Sequence, residues 1–161
     1  MGFGDWLRAF RELHQRAKAG KLSPGEQETY RHGRDELARA LLAAQQVMLR
    51  TGEVPRRQLR VARALQVELE IGKQKVKGLT QDVSPGGFGL LLATPPQPGD
   101  QVRCALRLPG QDPVAGVARV ADVKVLPGNA RAAFAWVNLP AADTDRLETF
   151  VFDAVLQQLA S

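Results

Sequence analysis

Hydrophobic positions in the first fifty residues recur at helical spacing. Residues 3–19 carry an apolar stripe that predicts an amphipathic helix. A second helix is predicted to run to about residue 49, because Ser23, Pro24 and Glu26 form a capping box with proline at the first helical position. We expect the two helices to form a hairpin whose apolar face packs against a second domain, another copy of the chain or a partner.

From Leu65 onward the hydrophobic period changes from 3.6 to 2, and short alternating segments are separated by turn-rich sequence. The predicted strands are residues 65–71, 75–81, 88–92, 101–108, 114–125 and 130–138. Six short strands at this spacing favour an antiparallel β-barrel, because closure removes exposed strand edges. Residues 143–159 return to helical spacing, with Asp143 or Thr144 as the expected N-cap.

The predicted fold class is therefore mainly β: a six-stranded antiparallel β-barrel with a C-terminal helix and an N-terminal α-helical hairpin. With 161 residues the chain allows two small units. We expect residues 1–52 to be the helical extension and residues 53–161 to be the barrel domain with its helix. Within the barrel domain, residues 53–63 are expected to be an arginine-rich linker that binds a ligand.

Charge is distributed unevenly along the chain. Residues 1–63 hold 13 Lys and Arg against 7 Asp and Glu, whereas residues 64–161 hold 9 against 10. The densest part, Arg50 to Arg63, has five arginines and one glutamate. Solvated helix faces explain the earlier arginines but explain this cluster less well. A concentrated positive field attracts anionic ligands.

Cysteine content and hydropathy limit the class of protein. The single Cys104 excludes a disulfide framework, and its place in an alternating run predicts a buried thiol in a reducing compartment. No apolar run approaches the ~18 residues of a membrane span. The N-terminus has no signal-peptide pattern, so we expect a cytoplasmic protein without a membrane span.

Catalytic chemistry finds little support in the sequence. His14 and His32 have no second histidine at ligand spacing and no nucleophile nearby. The glycines of residues 86–89 lack the third glycine and the following helix of a dinucleotide fingerprint. We therefore predict no catalytic residues, no metal, no cofactor and no enzymatic activity.

Two motifs carry binding chemistry: Arg56-x-x-x-Arg60 and Asp82-x-Ser84-x-x-Gly87. Arginine reads the O6 and N7 edge of guanine and also clamps phosphate oxygens. Asp82 can accept hydrogen bonds from the guanine N1 and N2 donors, and Ser84 can donate or accept nearby. Gly87 lets the backbone approach a ring or a phosphate closely. Together they indicate a site for a ligand with guanine and phosphate groups.

Each motif also has a plainer interpretation. Arg56 to Arg60 alone is explained by a solvated basic linker. Asp, Ser, Pro and Gly are the usual turn residues, and Asp82 could bond only to local backbone N–H groups. Taken singly, both motifs favour this plainer interpretation.

The ordered combination of the two motifs resembles the PilZ domain, a bacterial receptor module for cyclic di-GMP. The resemblance covers about residues 53–159 and continues through Pro98-Gly99-Asp100, residues 116–120 and residues 134–139. It implies a six-stranded antiparallel split barrel with a C-terminal helix. It also implies that Arg56 and Arg60 bind the phosphates and guanine edges of cyclic di-GMP, its ligand.

The resemblance implies further that Asp82, Ser84 and Gly87 bind the other side of the guanine. Arg57 and Gly86 are secondary ligand-binding candidates. Trp136 is another: it would either stack on the ligand or fill the barrel, and the residues favour the core interpretation.

Two positions depart from the family pattern. Pro55 stands where many members carry an extra arginine, which would weaken binding or favour a single ligand over a stacked pair. Ala133 and Trp136 stand where members often have Gly-x-x-Phe in the last strand.

The expected function is a bacterial cyclic di-GMP receptor that signals by ordering of the arginine-rich linker and by protein contacts. A protein partner or self-association through the N-terminal helices is expected. One alternative is a degenerate PilZ adaptor that acts through protein contacts without ligand. Another is a basic nucleic-acid-binding module, for which the pI of 9.9 argues. The 6% aromatic content leaves few stacking platforms, so nucleic acid is disfavoured.

Overall fold

The chain packs into two compact units. The computed structural model describes residues 2–47 and 59–160. One unit contains residues 1–59 together with 152–161, and the other contains residues 60–151. The domain boundary predicted between residues 52 and 53 lies outside the described residues and stays a prediction.

The first unit contains a helical hairpin. Helix α1 spans Phe3–Lys18 and helix α2 spans Pro24–Val47. The predicted capping box is present at the start of α2. The Glu26 N–H donates to Ser23 Oγ at 3.2 Å, and the Ser23 N–H donates to Glu26 Oε1 at 3.1 Å. These reciprocal bonds satisfy two amides that a helix start leaves without intrahelical partners.

Aromatic stacking joins the two helices. The Phe10 ring lies 5.3 Å from the Trp6 ring and 5.5 Å from the Tyr30 ring, and both pairs are stacked. Gly33 on α2 allows this close approach, because a Cβ there would lie 2.9 Å from Phe10 Cδ2. The close packing of the two helices therefore requires a residue without a side chain at position 33.

Helix α3, Ala141–Ala160, contributes its last turns to the same unit. The Arg34 guanidinium lies 5.9 Å from the Phe152 ring. Arg11 Nη2 donates to the Leu156 carbonyl at 2.8 Å. The end of α3 therefore packs against the hairpin within this unit.

The second unit is a closed antiparallel barrel. Its strands are β1 (Gln66–Ile71), β2 (Gln74–Ser84), β3 (Gly87–Leu92), β4 (Gln101–Leu106), β5 (Val114–Leu126) and β6 (Asn129–Val137). The strand order around the barrel is β1-β2-β3-β6-β5-β4. The predicted six-stranded barrel, with its N-terminal helices and C-terminal helix, is confirmed.

Alternation along each strand fills the barrel with apolar side chains. Fully buried members of this core are Val67, Leu69, Val83, Leu90, Leu106 and Val120. Cys104 is 5% exposed and belongs to the same core, as its alternating context predicts. Neighbouring polar residues on each strand consequently face outward.

The start of α3 differs from the sequence expectation. The helix begins at Ala141, so an N-cap at Asp143 or Thr144 is wrong. The backbone N–H groups of both residues donate to the Pro140 carbonyl, at 3.0 and 3.1 Å, which makes them part of the first turn. No helix within the described ranges is both long and apolar enough to cross a membrane.

Candidate ligand-binding site

The segment before β1 is attached to β2 by hydrogen bonds. Val61 and Val83 exchange two backbone hydrogen bonds of 2.9 Å. Thr80 Oγ1 donates to the Arg63 carbonyl at 2.6 Å and accepts from the Leu65 N–H at 2.9 Å. Val61, Val83 and Thr80 are buried, so these bonds satisfy polar groups that lie away from solvent. The attachment fixes the course of this segment along β2.

The same attachment places Arg60 opposite Ser84, from where its side chain reaches Asp82. Val83 points into the barrel, so Asp82, its neighbour on β2, faces outward. Arg60 Nη1 lies 3.9 Å from Asp82 Oδ2, and the two side chains are 44% and 20% exposed. One member of each predicted motif is therefore in contact with a member of the other on the outer surface of the barrel.

Arg131, which is not among the site residues predicted from the sequence, is a third member of this cluster. Its Nη2 donates to the same Asp82 Oδ2 at 3.4 Å, across 49 residues of sequence. Arg131 lies on β6, and β3 separates β6 from β2. No local motif marks Arg131, because its position beside Asp82 follows only from the pairing of these three strands.

The Asp82–Gly87 motif is not a simple turn, which corrects the sequence expectation. Strand β2 continues through Asp82 to Ser84, and β3 begins at Gly87. Only Pro85-Gly86 forms the turn, and Ser84 is directly opposite Gly87. Ser84 Oγ donates to the Gly87 carbonyl at 3.4 Å. Strand pairing therefore holds the carboxylate and the hydroxyl.

Glycine is required at two positions of β3 for different reasons. A Cβ at Gly87 would lie 1.9 Å from the Phe134 carbonyl oxygen, so the pairing of β3 with β6 needs a bare backbone there. A Cβ at Gly89 would lie 2.8 Å from Asp82 Oδ1, so the carboxylate lies over this glycine. Gly87 is thus part of the fold, and Gly89 makes room for Asp82.

Trp136 belongs to the inward-facing set. It is paired with the fully buried Ala118, and its ring is edge-on to Phe88 at 5.5 Å. Its backbone N–H donates to the carbonyl of Gly86 at 2.9 Å, which joins the turn to β6. Its buried Nε1 has no acceptor among the described residues. This orientation favours the core interpretation over stacking on a ligand.

Two predicted arginines, Arg56 and Arg57, lie outside the described residues. Their assignment to the site stays a prediction.

One of the two histidines, His14, and the single cysteine, Cys104, are buried. His14 is fully buried, 2.7 Å from the Tyr30 hydroxyl and 3.2 Å from Asp153 Oδ1. Burial lowers the pKa of His14, and burial raises the pKa of the Cys104 thiol to about 12. Within the described ranges, no cluster of three His, Cys, Asp or Glu side chains could hold a metal ion.

Two cavities on the barrel lie apart from this cluster. Cavities of about 490 and 440 Å³ lie against β1, β2 and β4, and their linings contain neither Asp82 nor Arg131. The cavity of about 490 Å³ is lined by side chains of both charges, including Glu68 and Lys77. We assign the candidate site by its converging chemistry and not by cavity size.

Solved structures share the barrel fold. The inhibitor of motility MotI/DgrA of Bacillus subtilis superposes with a TM-score of 0.58 at 21% identity, over 68% of this chain and 54% of that one. The PilZ domain of Escherichia coli YcgR with c-di-GMP has a TM-score of 0.55 at 15% identity, over 65% and 95%. The K. pneumonia MrkH–c-di-GMP complex has a TM-score of 0.57 at 17% identity, over 67% and 56%.

These likenesses concern the fold, since all are below 25% identity. The chain spans about half the length of MotI/DgrA and of the longer YcgR structure, at 54% and 47%. A comparison with curated protein sequences finds no significant match. A family model described as PilZ domain matches residues 55–153, well over half of the chain. By that match and by its closed six-stranded barrel, the chain belongs to the PilZ domain family.

Proposed function

We propose that this chain is a receptor for cyclic di-GMP and has no enzymatic activity. Membership of the PilZ family supports the proposal, as do the similar folds of YcgR and MrkH, which are described in complex with c-di-GMP. The observation that carries it is the Arg60 guanidinium beside the Asp82 carboxylate on the outer surface of the barrel. These two groups have the chemistry that guanine and phosphate require.

Asp82 is suited to recognise the base. An ionised carboxylate offers two acceptor oxygens, which match the adjacent N1–H and N2–H donors of guanine. Adenine has an acceptor at its N1 position, so the same carboxylate disfavours it. Ser84 and Gly87, opposite each other on β2 and β3, are proposed to line the adjacent surface.

The surrounding charge is suited to the phosphates. Arg60 and Arg131 both lie within 4 Å of one Asp82 oxygen, so the cluster carries one surplus positive charge. A guanidinium binds phosphate oxygens bidentately, and the field around it concentrates anions. Arg56 and Arg57 would add two further positive charges from the linker.

The proposed signal is a change in the linker of residues 53–63. The like charges of Arg56, Arg57 and Arg60 would repel one another, and two ligand phosphates would offset most of that charge and draw the linker onto β2. The Val61–Val83 hydrogen bonds supply the fixed point from which this ordering would extend. Signalling would continue through a protein partner or self-association of the helical unit.

Calorimetric titration of the full chain with cyclic di-GMP tests the proposal. We expect Arg60→Ala and Asp82→Ala each to weaken binding at least tenfold, about 1.4 kcal/mol. Arg103→Ala is the matched control, because it removes one exposed charge from β4, away from the cluster. Absence of binding by the unmodified chain would overturn the receptor and favour the adaptor without ligand.

Small-angle scattering with and without cyclic di-GMP tests the relay separately. A tight complex with unchanged scattering and unchanged mass would retain the receptor and refute signalling through the linker.

A further inference from the structure

Asp82 is held in one orientation by its neighbours on β3 and β6. Its Oδ2 accepts from Arg131 Nη2 at 3.4 Å, while its Oδ1 lies over Gly89, where a Cβ would be 2.8 Å away. Asp82, Gly89 and Ala133 are aligned across β2, β3 and β6. The small residues at 89 and 133 leave the surface between the carboxylate and Arg131 open.

Arg131 contributes little to folding by this contact. It is 52% exposed, and ion pairs between exposed side chains add little to stability because water screens them. The significance of the contact lies in what happens when a ligand covers Asp82. Arg60 would then turn to a phosphate, and a carboxylate covered by a neutral base is unfavourable without a counter-charge. Arg131 would remain as the positively charged partner that keeps the Asp82 carboxylate oriented.

We propose that Arg131 and Gly89 are positioning residues for Asp82. Arg131 holds the carboxylate from β6, and Gly89 provides the space in which it lies. The inference rests on the proposed function, because it assigns the residues that orient the guanine-reading group. It adds two positions outside both motifs of the sequence.

The first test compares two ligands by calorimetry on the full chain. Cyclic di-GMP carries the guanine N2 amine, whereas cyclic di-IMP has hypoxanthine and lacks that amine. In the unmodified chain we expect cyclic di-GMP to bind at least tenfold more tightly. In Arg131→Ala we expect weaker binding of cyclic di-GMP and a preference reduced to about threefold or less. Arg131→Lys should recover part of the preference, since it restores the charge.

The ratio of the two ligand affinities separates a positioning role of Arg131 from a general effect on binding or folding. A loss of charge or a looser fold would weaken both ligands equally and leave the preference unchanged. Arg103→Ala, on β4, is the matched charge control and should retain the full preference.

Gly89→Ala is the second variant. Its Cβ meets the movable end of a side chain, so the fold should accept it and the carboxylate should shift. We expect a thermal midpoint within a few degrees of the unmodified chain, together with at least tenfold weaker binding of cyclic di-GMP.

The outcomes distinguish the two proposals. If the unmodified chain binds neither ligand, the proposed function fails. If it binds, and Asp82→Ala abolishes the preference while Arg131→Ala and Gly89→Ala leave affinity and preference unchanged, the receptor stands and the positioning role is refuted.

Discussion

Val61 and Val83 exchange two backbone hydrogen bonds, and this single bridge decides where the arginine-bearing segment meets the barrel. Val61 is 2% exposed and Val83 is fully buried. In this antiparallel bridge Arg60 is opposite Ser84, and its long side chain reaches diagonally to the carboxylate of Asp82, two residues away on β2. Recognition chemistry here follows from how one short segment pairs with β2.

The Thr80 hydroxyl is expected to stabilise this attachment. Thr80→Val keeps the shape of the side chain but leaves the Arg63 carbonyl and the Leu65 N–H without their side-chain partner. We expect the free energy of unfolding to fall by about 1–3 kcal/mol in urea denaturation. Thr29→Val is the control, because Thr29 is exposed and bonds only within α2. Equal losses in the two variants would contradict this role.

Gly87 is expected to be needed for folding before any ligand binds. The Cβ in Gly87→Ala would lie 1.9 Å from the Phe134 carbonyl oxygen, and backbone cannot move aside cheaply. We expect a loss of at least about 2 kcal/mol in the absence of ligand. Gly78→Ala, whose Cβ would meet Leu90 Cδ1 at 3.4 Å, should change stability by less than about 1 kcal/mol. A stable Gly87→Ala protein would show that β3 and β6 can separate locally.

The Cys104 thiol is expected to be unreactive in the folded protein. It is 5% exposed, and burial raises its pKa to about 12, so almost no thiolate exists at neutral pH. Labelling with a disulfide reagent should be at least a hundredfold slower than in denaturant. Gln101→Cys in a Cys104→Ala background is the comparison, since residue 101 is exposed on the same strand. Fast labelling of native Cys104 would show that the barrel opens.

The helical unit is expected to lose stability in mild acid. Burial lowers the pKa of His14, which faces Tyr30 and Asp153, with Lys18 and Arg34 nearby. The unfolded chain therefore binds the extra proton below a pH of about 6.5. The free energy of unfolding should then fall, by at most about 1.4 kcal/mol per pH unit, until the pH passes the folded pKa.

Tryptophan fluorescence in a Trp136→Phe background measures this effect, because Trp6 then reports on the helical unit alone. His14→Gln should remove the slope, whereas His32→Gln, at an exposed position, should leave it intact. A slope that persists in His14→Gln would assign the titration to another group.

Local patterns were sufficient for the elements. The capping box of Ser23 and Glu26 and the change of period near Leu65 are short-range features. They correctly predict the start of α2 and the start of the strands. The prediction of a turn over the Asp82–Gly87 motif is less accurate. Turn residues are common there, yet β2 continues to Ser84, since pairing with β3 outweighs local preference.

By itself the sequence determined the helices, the strands and the two motifs, because periodicity, capping and turn chemistry act within a few residues. Only the tertiary structure decided that Arg131 contacts Asp82 and that Gly89 leaves space for its carboxylate. These relations depend on the register between paired strands, and Arg131 and Asp82 are 49 residues apart. The buried faces and turns of all six strands set that register together, so no single segment encodes it.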